Sequence, residues 1–109
     1  MKTFNVSGVD ASGNPIISDN GNASVDINTV VKWQITQNTL SAIDIEIPTT
    51  PGIWSSPPAP YPVGTTEPYT QWRGTVGNFP GDEENYSVGT TLKSGQRTQF
   101  HDPKISINR

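Results

Sequence analysis

The chain has 109 residues, enough for one domain (residues 1–109) with a single core and too few for two. Its formal charge is −3 and its seven Lys and Arg are scattered, which argues against binding nucleic acid or an anionic membrane surface. It has no cysteine, so disulfides, thiolate metal sites and cysteine nucleophiles are excluded, and no apolar stretch is long enough to cross a membrane.

Only 31% of the residues are hydrophobic, so the core must be economical. Good helix formers are scarce, and ten Gly and ten Pro punctuate a sequence rich in Thr, Ser and Asn. This is turn-rich, β-type composition. The opening MKTFNVSGVD lacks the apolar run of a signal peptide, whereas the composition resembles that of exported or surface proteins. The compartment stays open.

In chain order, residues 3–9 form the first predicted strand, with Phe4 and Val6 inward. Turn chemistry at 10–15 leads to a short strand at 16–18, and Asp19-Asn20-Gly21-Asn22 supplies the positive φ of a tight turn. Strands are predicted at 23–27 and at 30–35. In the latter, Val31, Trp33 and Ile35 alternate with Lys32 and Gln34. The same period places Ile43, Ile45 and Ile47 inward and Asp44 and Glu46 outward on a strand at 41–47. Further strands follow at 71–76 and 86–92, and the chain closes on one strand in two pieces, 98–101 and 104–108, broken at Asp102-Pro103, with Asp82-Glu83-Glu84 as an acidic corner and Ser94-Gly95 as a hairpin turn. The pattern predicts an all-β fold, a single Greek-key β-sandwich of seven to eight short strands.

Between two of these strands lies PTTPGIWSSPPAPYPVGTTEPYTQ, residues 48–71, with seven of the ten prolines. Proline breaks helices and cannot donate to a sheet ladder, so the segment is predicted to be one long non-regular loop. Disordered segments are poor in aromatics, whereas this one holds Trp54, Tyr61 and Tyr69, which predicts an ordered loop packed on this domain or on a partner. Exposed rings on a rigid proline frame bind with little loss of side-chain freedom. Trp54, Tyr61 and Tyr69 are therefore the candidate partner-binding residues, with Trp54 expected near the surface. Trp33 is expected in the core, and Trp72 in the core or under the loop.

No catalytic set is visible, and the chain reads as a non-enzyme without a cofactor. His101 is the only histidine; Asp102 follows it directly, and adjacent strand residues point to opposite faces, so the two do not make an obvious dyad. A rim histidine bonded to backbone is the plainer expectation. Asp82 and Glu84 in the acidic corner are weak cation candidates beside His101, but their spacing fits no known calcium loop.

Two architectures have partial matches. Ser24–Trp33 (SVDINTVVKW), Tyr86-Ser87-Val88 and the stretch from His101 to Ile107 resemble segments of the cupredoxins. That resemblance implies a fold without its best-known function, because a blue-copper site needs two His, a Cys and usually a Met, and the chain has one His, no Cys and Met at position 1 alone. Asp82-x-x-x-Tyr86-x-Val88 resembles the immunoglobulin corner Asp-x-x-x-Tyr-x-Cys with Val for Cys. That resemblance implies that the Tyr86 hydroxyl bonds back to the chain and that Trp33 is the core tryptophan.

The expected function is a non-catalytic binding module that contacts a protein or glycan through the 48–71 loop. The alternative is an assembly subunit that self-associates through sheet edges and the same loop, with the terminal strands free to pair.

Overall fold

A computed structural model describes residues 1–48 and 52–109. Among these residues there are ten strands: β1 (Lys2–Val9), β2 (Pro15–Ile17), β3 (Ala23–Val25), β4 (Val30–Ile35), β5 (Leu40–Glu46), β6 (Trp54–Pro60), β7 (Gln71–Val76), β8 (Glu83–Asn85), β9 (Ser87–Leu92) and β10 (Lys104–Ile107). They form a five-stranded sheet β2-β1-β4-β7-β6, a three-stranded sheet β3-β10-β8 and a β5-β9 pair. β1 runs parallel to β4 and β3 parallel to β10; the other pairs are antiparallel. The two smaller ladders are bridged, because Tyr86 N–H donates to Pro103 O and Val88 exchanges backbone bonds with His101.

The period-two pattern decides which residues face the core. On β4, Val31 and Trp33 are buried while Lys32 and Gln34 are not; on β5, Ile43 and Ile45 are buried while Glu46 is exposed. Inward residues from all three ladders meet in one apolar cluster. Its centre is Trp33, whose ring lies 6.0 Å from Phe4, 6.0 Å from Trp54 and 5.3 Å from Tyr86. Trp72, half-buried, packs on the rim of this cluster.

Three expectations are corrected. Among the described residues the strand count is ten, because β6 and β8 form in segments predicted as loop and acidic corner, while 98–101 makes a single isolated bridge, at His101. The 48–71 segment is not one long loop, since β6 pairs along β7 at the sheet edge. An edge strand needs donors on one side only, and the pairing shifts register between Trp54 and Ser56 and again between Ser56 and Ala59. Pro57 and Pro58 fall in the second irregularity, where the ladder asks for no N–H. Residues 49–51 of the predicted loop lie outside the described residues. Finally, the terminal strands are not free edges: β1 is flanked by β2 and β4, and β10 by β3 and β8.

Gly74 is what lets β6 close down. A Cβ there would stand 3.0 Å from Pro58 N and 3.1 Å from the Trp54 ring, closer than packed side chains sit. The indole of Trp54 lies in the space this glycine leaves.

Candidate functional site

Of the three aromatic candidates, Trp54 is not a surface residue. It is 2% exposed and belongs to the core cluster. Its Nε1–H donates to Glu84 Oε2 at 2.6 Å, which leaves no polar edge for a partner. Tyr69 is half-buried, its ring edge-on to Trp72 at 5.9 Å, beside a depression of about 320 Å³ that Asp44, Glu67 and Arg97 also line. Trp72 Nε1–H donates to Ile43 O at 2.7 Å, so this corner is pinned to β5.

Tyr61 is the exposed aromatic of the three, at 37%. It follows β6 directly, and its backbone N–H donates to Gln71 O at 2.9 Å. The Arg73 guanidinium carbon lies 3.9 Å from the centre of its ring, and Arg73 Nε–H donates to Gln71 Oε1 at 3.1 Å. The cation is thus held by a ring face and an amide, a geometry worth about 0.5–1 kcal/mol at an exposed site.

Register places this pair within a wider face. Thr3, Lys32, Arg73 and Ala59 are successive cross-strand partners over β1, β4, β7 and β6, and Asn5, Gln34 and Gln71 form the next row, which Tyr61 extends. Gln34 Nε2–H donates to Asn5 Oδ1 at 2.8 Å. These positions alternate with Phe4, Trp33 and Val31, which point into the core, so the row residues stand on the outer side of the sheet. None of the chain's ten acidic residues lies in β1, β2, β4, β6 or β7. Sequence reasoning missed Lys32, Gln34, Gln71 and Arg73 as a group. Their outward parity was readable, but their adjacency depends on the β4–β7 register.

The metal candidates are dispersed into other tasks. His101 Nε2–H donates to Asn20 O at 2.8 Å, and Asp102 accepts from Ser87 Oγ at 2.6 Å, so the two adjacent residues serve different turns. Among the described residues no group of three or more His, Cys, Asp or Glu side chains converges on a point where a cation would bind. Asp82, Glu83 and Glu84 line a wide open recess with Arg109.

Glu84 carries a measurable consequence. Burial pushes its carboxyl above the ordinary value of 4.5, and the Trp54 hydrogen bond only partly opposes this. Between 4.5 and its folded value the native state therefore holds more protons than the unfolded one, and stability falls as pH rises through that window. Glu84→Gln keeps an acceptor for Trp54 and removes the charge. Its stability relative to the parent is expected to be nearly equal at pH 4 and to rise towards pH 7, read from urea unfolding at both values. A difference independent of pH would refute the assignment.

The chain matches no protein-family model, and no curated protein is significantly similar to it.

Proposed function

We propose that the protein is a non-catalytic binding module whose contact surface is the outer face of the five-stranded sheet, centred on Tyr61 and Arg73, and whose partner is a glycan. The observation that carries this reading is the Tyr61–Arg73 stack standing at the end of a row of amides on a two-row polar grid. Sugar rings offer hydroxyls that both donate and accept, and Asn and Gln side chains meet both roles. A tyrosine with two side-chain torsions supplies contact area at low entropic cost. The fold that presents this face is proposed to be a Greek-key sandwich of cupredoxin-like type without a copper site, a reading supported by the parallel β1–β4 and β3–β10 pairs. A module of this kind suits a cell surface or the space outside it, in keeping with the Thr, Ser and Asn content.

Self-association is the second reading. The free edges it would use are β2 and β6 of the larger sheet rather than the terminal strands. β6 is guarded by its three prolines and two register shifts, which leave few backbone donors in line for a neighbour. That disfavours pairing through β6.

The test is Tyr61→Ala. It is expected to weaken binding to an immobilised glycan array by roughly tenfold or more, while lowering stability by less than about 1 kcal/mol, since only the exposed cation–π contact is lost. Unchanged binding to every glycan the parent recognises would remove Tyr61 from the site.

A further inference from the structure

We infer that the ligand of the five-stranded face is an acidic polysaccharide, bearing carboxylate or sulfate groups that seat between Lys32 and Arg73. This deepens the glycan reading above and rests on it. Lys32 and Arg73 are directly opposite on β4 and β7. Like charges facing each other across strands are unfavourable, and folded proteins ordinarily interleave a carboxylate or avoid the pairing. Here neither happens. The salt bridges among the described residues are Lys2–Asp19 and Lys104–Glu83, so no carboxylate lies within bridging distance of Lys32 or Arg73. The five strands of this sheet contain no Asp or Glu at all, although acidic residues outnumber basic ones ten to seven in the chain. A like-charge pair that no carboxylate of the chain neutralises marks a surface arranged for an anion outside the chain.

The geometry narrows what that something is. Stacking on Tyr61 and the bond from Nε to Gln71 orient the guanidinium and occupy one of its donors. Arg donors in a fixed fork suit a carboxylate or sulfate better than a neutral hydroxyl. The next row, Asn5, Gln34 and Gln71, is uncharged. A ligand that fits both rows therefore alternates anionic groups with neutral hydroxyls, as a uronate or sulfated glycan does. Nucleic acid would ask for more cations along its phosphate track than the two this face holds outward. A second copy of the chain also offers fitting charge, in Asp44 and Glu46 of β5 and Glu83 of β8.

The experiment is affinity electrophoresis in native gels containing polygalacturonate, heparin or neutral hydroxyethylcellulose, paired with sedimentation velocity across a concentration series. The parent is expected to be retarded by one or both acidic polymers and not by the neutral one. Retardation by polygalacturonate alone assigns carboxylate, and by heparin alone sulfate. Lys32→Gln and Arg73→Gln should each weaken retardation roughly tenfold, the loss expected for a charge-assisted hydrogen bond. The double variant should abolish retardation, with a thermal midpoint close to the parent's, because relief of the like-charge pair offsets the lost Tyr61 stack. Lys93→Gln with Arg109→Gln makes the same change in net charge off the face and should leave retardation intact. Equal retardation by hydroxyethylcellulose would overturn the acidic class while the glycan reading stands. No retardation by any polymer would overturn both. Retardation unchanged in the double variant would place the site elsewhere. A mass that grows with concentration in the parent but not in the double variant would make a second copy the occupant, and overturn the inference in that way.

Discussion

Trp54→Ala is expected to lower the stability of the fold by about 3–5 kcal/mol, the range for truncating a large buried aromatic. Three losses add. The indole leaves a cavity against Trp33, 6.0 Å away, and over Gly74, which has no side chain to move into the space. Strand β6 loses the anchor at its first residue, and with two register shifts it has few ladder bonds in reserve. Glu84 loses the donor at 2.6 Å and remains half-buried with its charge. Trp54→Phe separates these terms, because it restores most of the packing and leaves Glu84 unpaired; about 1–3 kcal/mol is expected for it. Urea unfolding followed by circular dichroism measures both. A Trp54→Ala protein with the parent's midpoint would return this residue to the surface.

That contrast shows where the sequence stops being legible. β4 and β5 announce themselves, because each alternates an apolar residue with a polar one and a period of two has a single meaning on a sheet. Trp33 in the core follows from the same period. β6 hides because proline content is a local signal, whereas tolerance of proline is set by position in the sheet. Pro57 and Pro58 are compatible with a strand only at an edge and only across an irregularity, and the residue that makes room for them, Gly74, is on another strand. β8 hides for a related reason: Glu83, Glu84 and Asn85 have no apolar alternation, and they become a strand by pairing with β10. The candidate site divides in the same way. Tyr61 was readable as an aromatic on a proline frame, but its partnership with Arg73 needs the β6–β7 register. The overall charge of −3 does not describe the five-stranded sheet, because it averages a sheet with no carboxylate against ladders and loops that carry all ten. Charge recognises a partner through a face and not through a total.

Tyr86→Phe is the second large effect, expected to cost about 2–4 kcal/mol although it removes a single oxygen. The Tyr86 hydroxyl lies in the core and is used twice: it accepts from Trp33 Nε1 at 3.1 Å and donates to Gly21 O at 2.5 Å. Burial drives the phenol well above its ordinary value, so it stays a neutral donor at any working pH. Deleting it strands an indole N–H and a carbonyl where water does not reach, and each unpaired group costs about 1–3 kcal/mol. The carbonyl matters further because of what carries it. Asp19, Asn20 and Gly21 are consecutive residues in the left-handed region, with φ of 54°, 53° and 77°, a run that costs energy at each non-glycine position. The turn is held from outside by Lys2 on Asp19, His101 on Asn20 O, Tyr86 on Gly21 O and Lys104 N–H on Asn22 Oδ1. Gly21 is fixed in kind as well, since a Cβ there would lie 2.8 Å from Pro103 and 2.9 Å from the tyrosine oxygen. In an immunoglobulin tyrosine corner the hydroxyl bonds a few residues upstream and pins one loop. Here it reaches 65 residues back, so the bond ties the β8–β9 junction to the turn after β2 and closes the core between them. Tyr86→Phe should therefore lower the unfolding midpoint and also speed hydrogen exchange at the Asn22 amide, which bonds to Asp19 O within the turn. A lowered midpoint with unchanged exchange would confine the hydroxyl's role to Trp33. An unchanged midpoint would mean that the buried pair finds other partners and that the tie is not what holds the turn.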